Sequence, residues 1–268
     1  MFKNAPIYWK LIVTSIRAKM EYKVTFLFLL VALLFYYLGQ LGVILIILTK
    51  FKNINGWSLG EMAFLYGLLV FSQGISTLLF SSLNYFENLI IEGDFDRLLV
   101  RPLNPLLQVL ASSFELSSVA HFLIGSTALY YGATRSGLEW TFQKIAFFPI
   151  ALLGAVLIQG GIRLAVAAVT FWTTRNRSLV HTIVYSSKEF ILYPISIYNF
   201  WVQAFLTLIF PLAFINYYPS HFFLARDSST LLFHPLLQYG TPLAGLIVFT
   251  MAYALWKAGI NHYQSVGN

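Results

Sequence analysis

The side chains that could do chemistry are few. The sequence has ten carboxylates, five histidines (His121, His181, His221, His234 and His262) and no cysteine. Without cysteine there are no disulfides, thiolate metal sites, iron–sulfur clusters or cysteine nucleophiles. The histidines are scattered without metal-ligand spacing, so no metal site is expected. No G-x-x-x-x-G-K-[S/T] loop occurs to cradle ATP phosphates, and no H-E-x-x-H, G-x-S-x-G or G-x-G-x-x-G motif occurs either. Acidic residues gather once, at Glu87, Glu92, Asp94 and Asp96. Arg97 and Arg101 follow immediately and no histidine is near, which argues against acid–base or metal work there.

The informative polar stretch is Glu92–Pro105, reading EGDFDRLLVRPLNP. Gly93 should break the incoming helix, and Asp94 is a suitable N-cap for a new one. Arg97, three residues on, shares a helical face with Asp94. Phe95, Leu98 and Leu99 supply an apolar ridge, Arg101 adds a second cation, and Pro102 stops the turn. A short amphipathic helix bounded by breakers would suit a groove on a partner; the competing reading is a solvated loop.

One charge, Arg163, interrupts a long apolar run, and His121 interrupts another. Ion-coupled carriers need titratable groups inside the bundle, but an arginine does not release its proton, and the apolar runs contain no carboxylate. Arg163 reads either as a counter-ion for an anionic lipid or substrate headgroup, or as a structural residue bonding carbonyls and hydroxyls of a neighbouring helix or subunit. His121 reads as a satisfied polar residue within a helix bundle.

The elements that must carry these residues follow from composition. Charged residues make up 10% of the 268 and hydrophobic residues 58%, with mean hydropathy +0.73; a soluble domain carries roughly 25% charged residues. The chain is therefore an all-α integral membrane protein. The same balance excludes a nucleic-acid reader despite a net charge of +7. A bilayer core needs about 20 apolar residues per helix. Six runs qualify: Val24 to Leu48, Met62 to Leu83, Leu116 to Gly132, Ile145 to Trp172, Pro194 to Tyr218 and Pro235 to Trp256. They form a single transmembrane domain, with no internal repeat.

With six spans, Lys and Arg divide 11 against 5, Arg163 lying within the membrane, and the richer side holds both ends. Both termini are thus expected to be cytoplasmic. Residues 1–23 are basic and carry Ile7, Trp9, Leu11, Ile12 and Ile16 at near-helical spacing. They read as an amphipathic helix lying in the interface, and not as a signal peptide, since the apolar run that follows is too long for one. Asn176-Arg177-Ser178 matches a glycosylation sequon but falls on the cytoplasmic side of this arrangement.

Three strings, GDFDRLLVRPLNP at Gly93–Pro105, NGWSLGEMAFLYG at Asn55–Gly67 and FPLAFINYYP at Phe210–Pro219, follow one another in an order and spacing that resemble the ABC-2 type export permeases. The likeness extends over nearly the whole chain and is greatest with the small six-helix permeases that pair with a separate ATPase. It implies that residues 1–23 are an elbow helix on the inner leaflet of a bacterial plasma (inner) membrane. It also implies that residues 92–105 are the coupling helix, with Asp94, Phe95, Asp96, Arg97, Leu98, Leu99, Arg101 and Pro102 seated in a cleft of the ATPase. Phe95, Leu98 and Leu99 would fill that cleft while the charges set register. The further implications are a second permease, the same or different, and an ATPase dimer that binds ATP and Mg, leaving this chain without a cofactor. Relatives fold short helices back into the membrane between spans five and six, for which Ser220–His234 leaves little room. The alternatives are a membrane-embedded lipid-acting enzyme and, with less support, an ion-coupled carrier.

Overall fold

A computed structural model describes residues 5–51, 53–115 and 117–265, and these are helical apart from turns and one isolated bridge between Ile54 and Trp57. Residues 1–4, 52, 116 and 266–268, and with them the start of the expected elbow and the first residue of the third expected span, lie outside the described residues.

Helix α1 (Ala5–Met20) turns at Glu21–Tyr22 into α2 (Lys23–Phe51). The side chains of Trp9 and Leu11, part of the expected apolar stripe, are also outside the described set. Helix α2 is apolar all round and weakly covered: Val24, Phe28 and Phe35 are about 70% exposed while Tyr37 and Ile44 are buried. Such a surface belongs against lipid or another subunit.

Helix α3 (Leu59–Phe80) starts at a capping box in which the Ser58 hydroxyl accepts from the Glu61 amide and the Glu61 carboxylate accepts from the Ser58 amide. It continues through a 3-10 turn, Ser81–Tyr85, into α4 (Phe86–Ile91). The partner of α3 is α7 (Ser118–Arg135), and glycines set their separation. A Cβ on Gly125 would lie 2.7 Å from the Phe71 amide nitrogen, and one on Gly67 2.6 Å from that of Leu129. Gly132 meets the Phe64 backbone still more closely. Pairs 64/132 and 71/125 make the two helices antiparallel, packed backbone to backbone as small residues permit in membranes. Helix α8 (Phe142–Thr173) runs parallel to α12 (Thr241–His262), Gly154 against Gly245 and Phe171 against Gly259.

Two faces of the bundle follow from the loops. On one, Asn55 donates to the Ser196 carbonyl (2.8 Å), and Arg226 donates to the Gly56 carbonyl, pairs with Glu61 and stacks over Trp57 at 4.1 Å. On the other, α1 packs on α6 (Pro105–Ser112), Tyr8 accepting from the Asn104 amide and Ser15 from the Phe114 amide. Ser265, beyond α12, donates to Asp96 on this second face.

Among the described residues, four helices are long and apolar enough to cross a membrane: Lys23–Ile46, Leu59–Ile91, Phe142–Thr173 and Thr241–His262. The expected run from Pro194 to Tyr218 is not one straight helix. Helix α10 (Phe200–Ala204), prolonged by a π turn over Phe205–Ile209, meets α11 (Ala213–Phe223) at 102°. Ser196, just before this segment, and Arg226, just after it, are both tied to the first face. The stretch joining the two faces comes earlier, in residues 177–191: α9 (Arg177–Leu179), a π turn (Val180–Ser186) and a 3-10 turn (Ser187–Ile191). His181, Lys188 and Glu189 break its apolar run, which is why sequence alone assigned it to a loop. The sixth run also starts later, since Pro235–Tyr239 is a separate 3-10 turn.

Candidate functional site

Two places could carry function: the surface around α5 (Asp94–Leu99) and a cavity lined by α2, α3, α7, α8 and residues 177–191.

Helix α5 is bounded as anticipated, although Gly93 and not Asp94 is the N-cap. Gly93 takes φ +71°, a left-handed turn that ends α4 and re-aims the chain, so Asp94 becomes the first helical residue. From there Asp94 pairs with Arg97 at 3.0 Å along one face. The expectation that Phe95 fills a partner's cleft does not hold, because Phe95 is fully buried. Its ring lies 5.2 Å edge-on to Phe86 and to Tyr263, 5.5 Å from Phe171 and 6.2 Å from Trp256. These neighbours come from α4, α8 and α12, so Phe95 fastens α5 to the ends of three longer helices. Leu98 packs against the same cluster. Burial and the neighbouring Asp96 carboxylate push the Tyr263 hydroxyl up to about 12, keeping that ring neutral in the cluster.

What faces outward is a different subset. Arg97, Leu99, Arg101 and Pro102 are exposed. Val100, not anticipated from the sequence, is the most exposed of the apolar residues here at 85%, and Ile91, at the end of α4, is 41% exposed. A valine after a leucine reads as core in a one-dimensional pattern; only the turn of α5 shows it turned away. Gln108 of α6 closes the far end, donating to the carbonyls of Leu98 (2.9 Å) and Leu103 (3.3 Å).

The acidic cluster is dispersed. Glu87 accepts from the amides of Asn176 (2.6 Å) and Arg177 (2.8 Å), Asp94 holds Arg97, and Asp96 accepts from Ser265 (2.7 Å). Among the described residues, no three His, Asp or Glu side chains converge as metal ligands. Glu87 and Asp96 tie separate elements together, while the Asp94–Arg97 pair stays within α5.

The cavity measures about 930 Å³. Arg163, about two-thirds of the way along α8, is buried, and among the described residues makes one hydrogen bond, donating from Nη2 to the Thr77 hydroxyl of α3 at 3.1 Å, while Nη1 has no partner. That bond fits the structural reading of Arg163, and the open Nη1 fits the ligand reading. Lys188 stands with its ammonium 5.7 Å and 5.9 Å from the rings of Tyr36 and Tyr185. Glu189 is held by the Tyr36 hydroxyl (3.0 Å) and by Gln40 (3.3 Å). His121 packs edge-on to Tyr37 at 5.0 Å and approaches the Ser117 carbonyl at 3.4 Å, as a satisfied bundle histidine should. The π turn of residues 180–186 delivers His181, Tyr185 and Ser186 to the wall, a distortion of the kind often found at functional sites.

A multi-pass helical membrane protein with an apolar bundle, a short breaker-bounded helix pinned to one end and no phosphate-binding loop of its own defines a class: the membrane component of a transporter. The chain belongs to the ABC-2 family of transporter proteins, whose family model matches residues 22–267. It is thus a transport membrane component of an ABC system, in a family that associates with an ABC ATPase. No curated protein and no solved structure matches it.

Proposed function

We propose that the chain is the permease subunit of an ATP-binding cassette exporter, forming the substrate pathway with a second permease and driven by a separate ATPase dimer that binds ATP and Mg. The observation that carries this reading is α5. It is short, begins at a left-handed glycine, is anchored from behind by Phe95 and exposes Leu99 and Val100 between two arginines. A helix fixed on its inner side and apolar on its outer side can transmit movement of a bound partner to α4, α8 and α12 together. Arg97 and Arg101 would set register by charge, and Leu99, Val100 and Pro102 would enter the ATPase cleft.

In this reading the chain crosses the membrane six times, by α2, α3, α7, α8, residues 177–191 and α12, and residues 200–223 are re-entrant. The face holding α1, α5, α6 and the end of α12 is cytoplasmic in a bacterial inner membrane, with α1 the elbow along the inner leaflet. The lysines and arginines support that orientation: Arg97, Arg101, Arg175 and Arg177 fall on this face, against Arg135, Lys144 and Arg226 on the other. Against the enzyme alternative, three of its four candidate carboxylates, Glu87, Asp94 and Asp96, are engaged in hydrogen bonds or an ion pair and do not converge.

Orientation and the revised fifth crossing are tested together by cysteine mapping, for which a cysteine-free chain is suited. Ser136→Cys and Ile197→Cys should react with an impermeant maleimide from outside, and Ser112→Cys and Ser178→Cys only after permeabilisation. Labelling of Ile197→Cys solely from inside would restore a fifth crossing after residue 194 and remove the re-entrant segment.

A further inference from the structure

The cavity around Arg163 carries more than a place for a substrate. A guanidinium has five donors, and this one, buried, uses one of them on Thr77 among the described residues. Among the described residues no carboxylate lies within ion-pair distance of it, and Nη1 is left without a partner. An unpaired buried cation is costly, so the arrangement calls for an anion. Lys188 lines the same space, its ammonium beside two tyrosine rings and likewise in no ion pair. The two carboxylates of the wall are held by neutral donors, Glu189 by Tyr36 and Gln40 and Glu115 by the Ser117 hydroxyl at 3.1 Å, and neither reaches ion-pair distance of Arg163 among the described residues.

Serines, Asn84, Gln73 and two histidines line much of the rest of the wall, and its apolar part is supplied by α2. Phe26, Leu29 and Leu33 of α2 line it, and α2 is the least covered of the long helices, its most apolar stretch only 11% buried. A volume of about 930 Å³ is at the upper end of the range for small-molecule sites. We propose that this cavity binds an amphiphile with one anionic head, a carboxylate or a phosphate, with the head on Arg163 and Lys188 and the tail along Phe26, Leu29 and Leu33, admitted from the membrane past α2. The inference deepens the permease reading by giving a chemical class to what the pathway accepts.

The test uses the full chain in phosphatidylcholine nanodiscs without any ATPase, so that this inference and the permease reading can fail separately. Radiolabelled dodecyl phosphate should bind saturably. Dodecyltrimethylammonium, dodecanol and inorganic phosphate should not compete at equal concentration. Arg163→Gln should weaken binding at least about tenfold, as loss of a charged hydrogen bond does, and Arg163→Lys should restore part of it. Should Arg163→Gln fail to fold, Lys188→Gln serves as the second variant, and a Thr25→Cys chain gives an independent readout: dodecyl phosphate should slow maleimide labelling at the cavity wall. Discs containing phosphatidylglycerol distinguish the source. Competition there assigns the site to a two-tailed anionic lipid, and undiminished binding to a free single-tailed amphiphile. Equal binding of the cationic or neutral amphiphile, equal competition by inorganic phosphate, or binding unchanged in the Lys188→Gln and Arg163→Gln chains would overturn the proposal.

Discussion

Phe95 and Val100 divide the labour of one short segment, and their substitution should separate the two. Phe95 is enclosed by Phe86, Phe171, Trp256 and Tyr263. Truncating a buried aromatic costs about 3–5 kcal/mol. Phe95→Ala should therefore lower the thermal stability of the isolated chain, with or without an ATPase. Val100, at 85% exposure, is little packed among the described residues. Val100→Asp should leave the melting temperature within about 1 °C, since exposed substitutions stay within roughly 0.5 kcal/mol, yet weaken ATPase co-purification. An unchanged melting temperature for Phe95→Ala would contradict the anchoring role. The sequence marked both residues as apolar within a polar segment; which of them points inward depends on the left-handed turn at Gly93, a feature of three dimensions.

At the scale of elements, the α3–α7 pair is packed backbone to backbone, because glycines bring the two helices together. Gly132→Val would drive a side chain into the Phe64 backbone, which has no flexible end to yield. Overpacking of this kind costs about 1–3 kcal/mol or more. We expect low yield and aggregation in mild detergent from this variant, and near-normal behaviour from valine at Gly39, which has open space around it. Equal yields from the two would show that the helices separate freely. Elements were legible in the sequence in proportion to their apolar continuity. Helices α2, α3 and α8 fall within a few residues of the uncharged or nearly uncharged runs. Residues 177–191 were not legible, since a segment carrying His181, Lys188 and Glu189 looks like a loop until Lys188 is seen within a cavity shared with Arg163. Residues 200–223 look like a span because they are apolar, but Pro211 breaks their backbone hydrogen bonding between α10 and α11.

For the molecule as a whole, two regions of packing connect opposite faces. The aromatic cluster around Phe86 and Trp256 gathers α4, α5, α8 and α12 at one end, and the group of Trp57, Tyr217 and His221, clamped by Arg226 over Trp57 and Glu61, gathers the loop before α3 and the end of α11 at the other. Helix α3 and its continuation α4 belong to both, so a displacement of α5 reaches the opposite face through one nearly continuous element and passes the cavity on the way. The central claim is that this displacement is imposed by a separate ATPase gripping α5. It is tested most directly by placing a photo-reactive amino acid at Val100 in the full chain in its native membrane, with one at lipid-facing Val24 as control. The account predicts that Val100 forms an adduct with a protein bearing a phosphate-binding loop, that Val24 does not, and that Leu99→Asp abolishes the adduct while the chain keeps its melting temperature. An ATPase that co-purifies undiminished with the Leu99→Asp chain, and never cross-links at Val100, would contradict it.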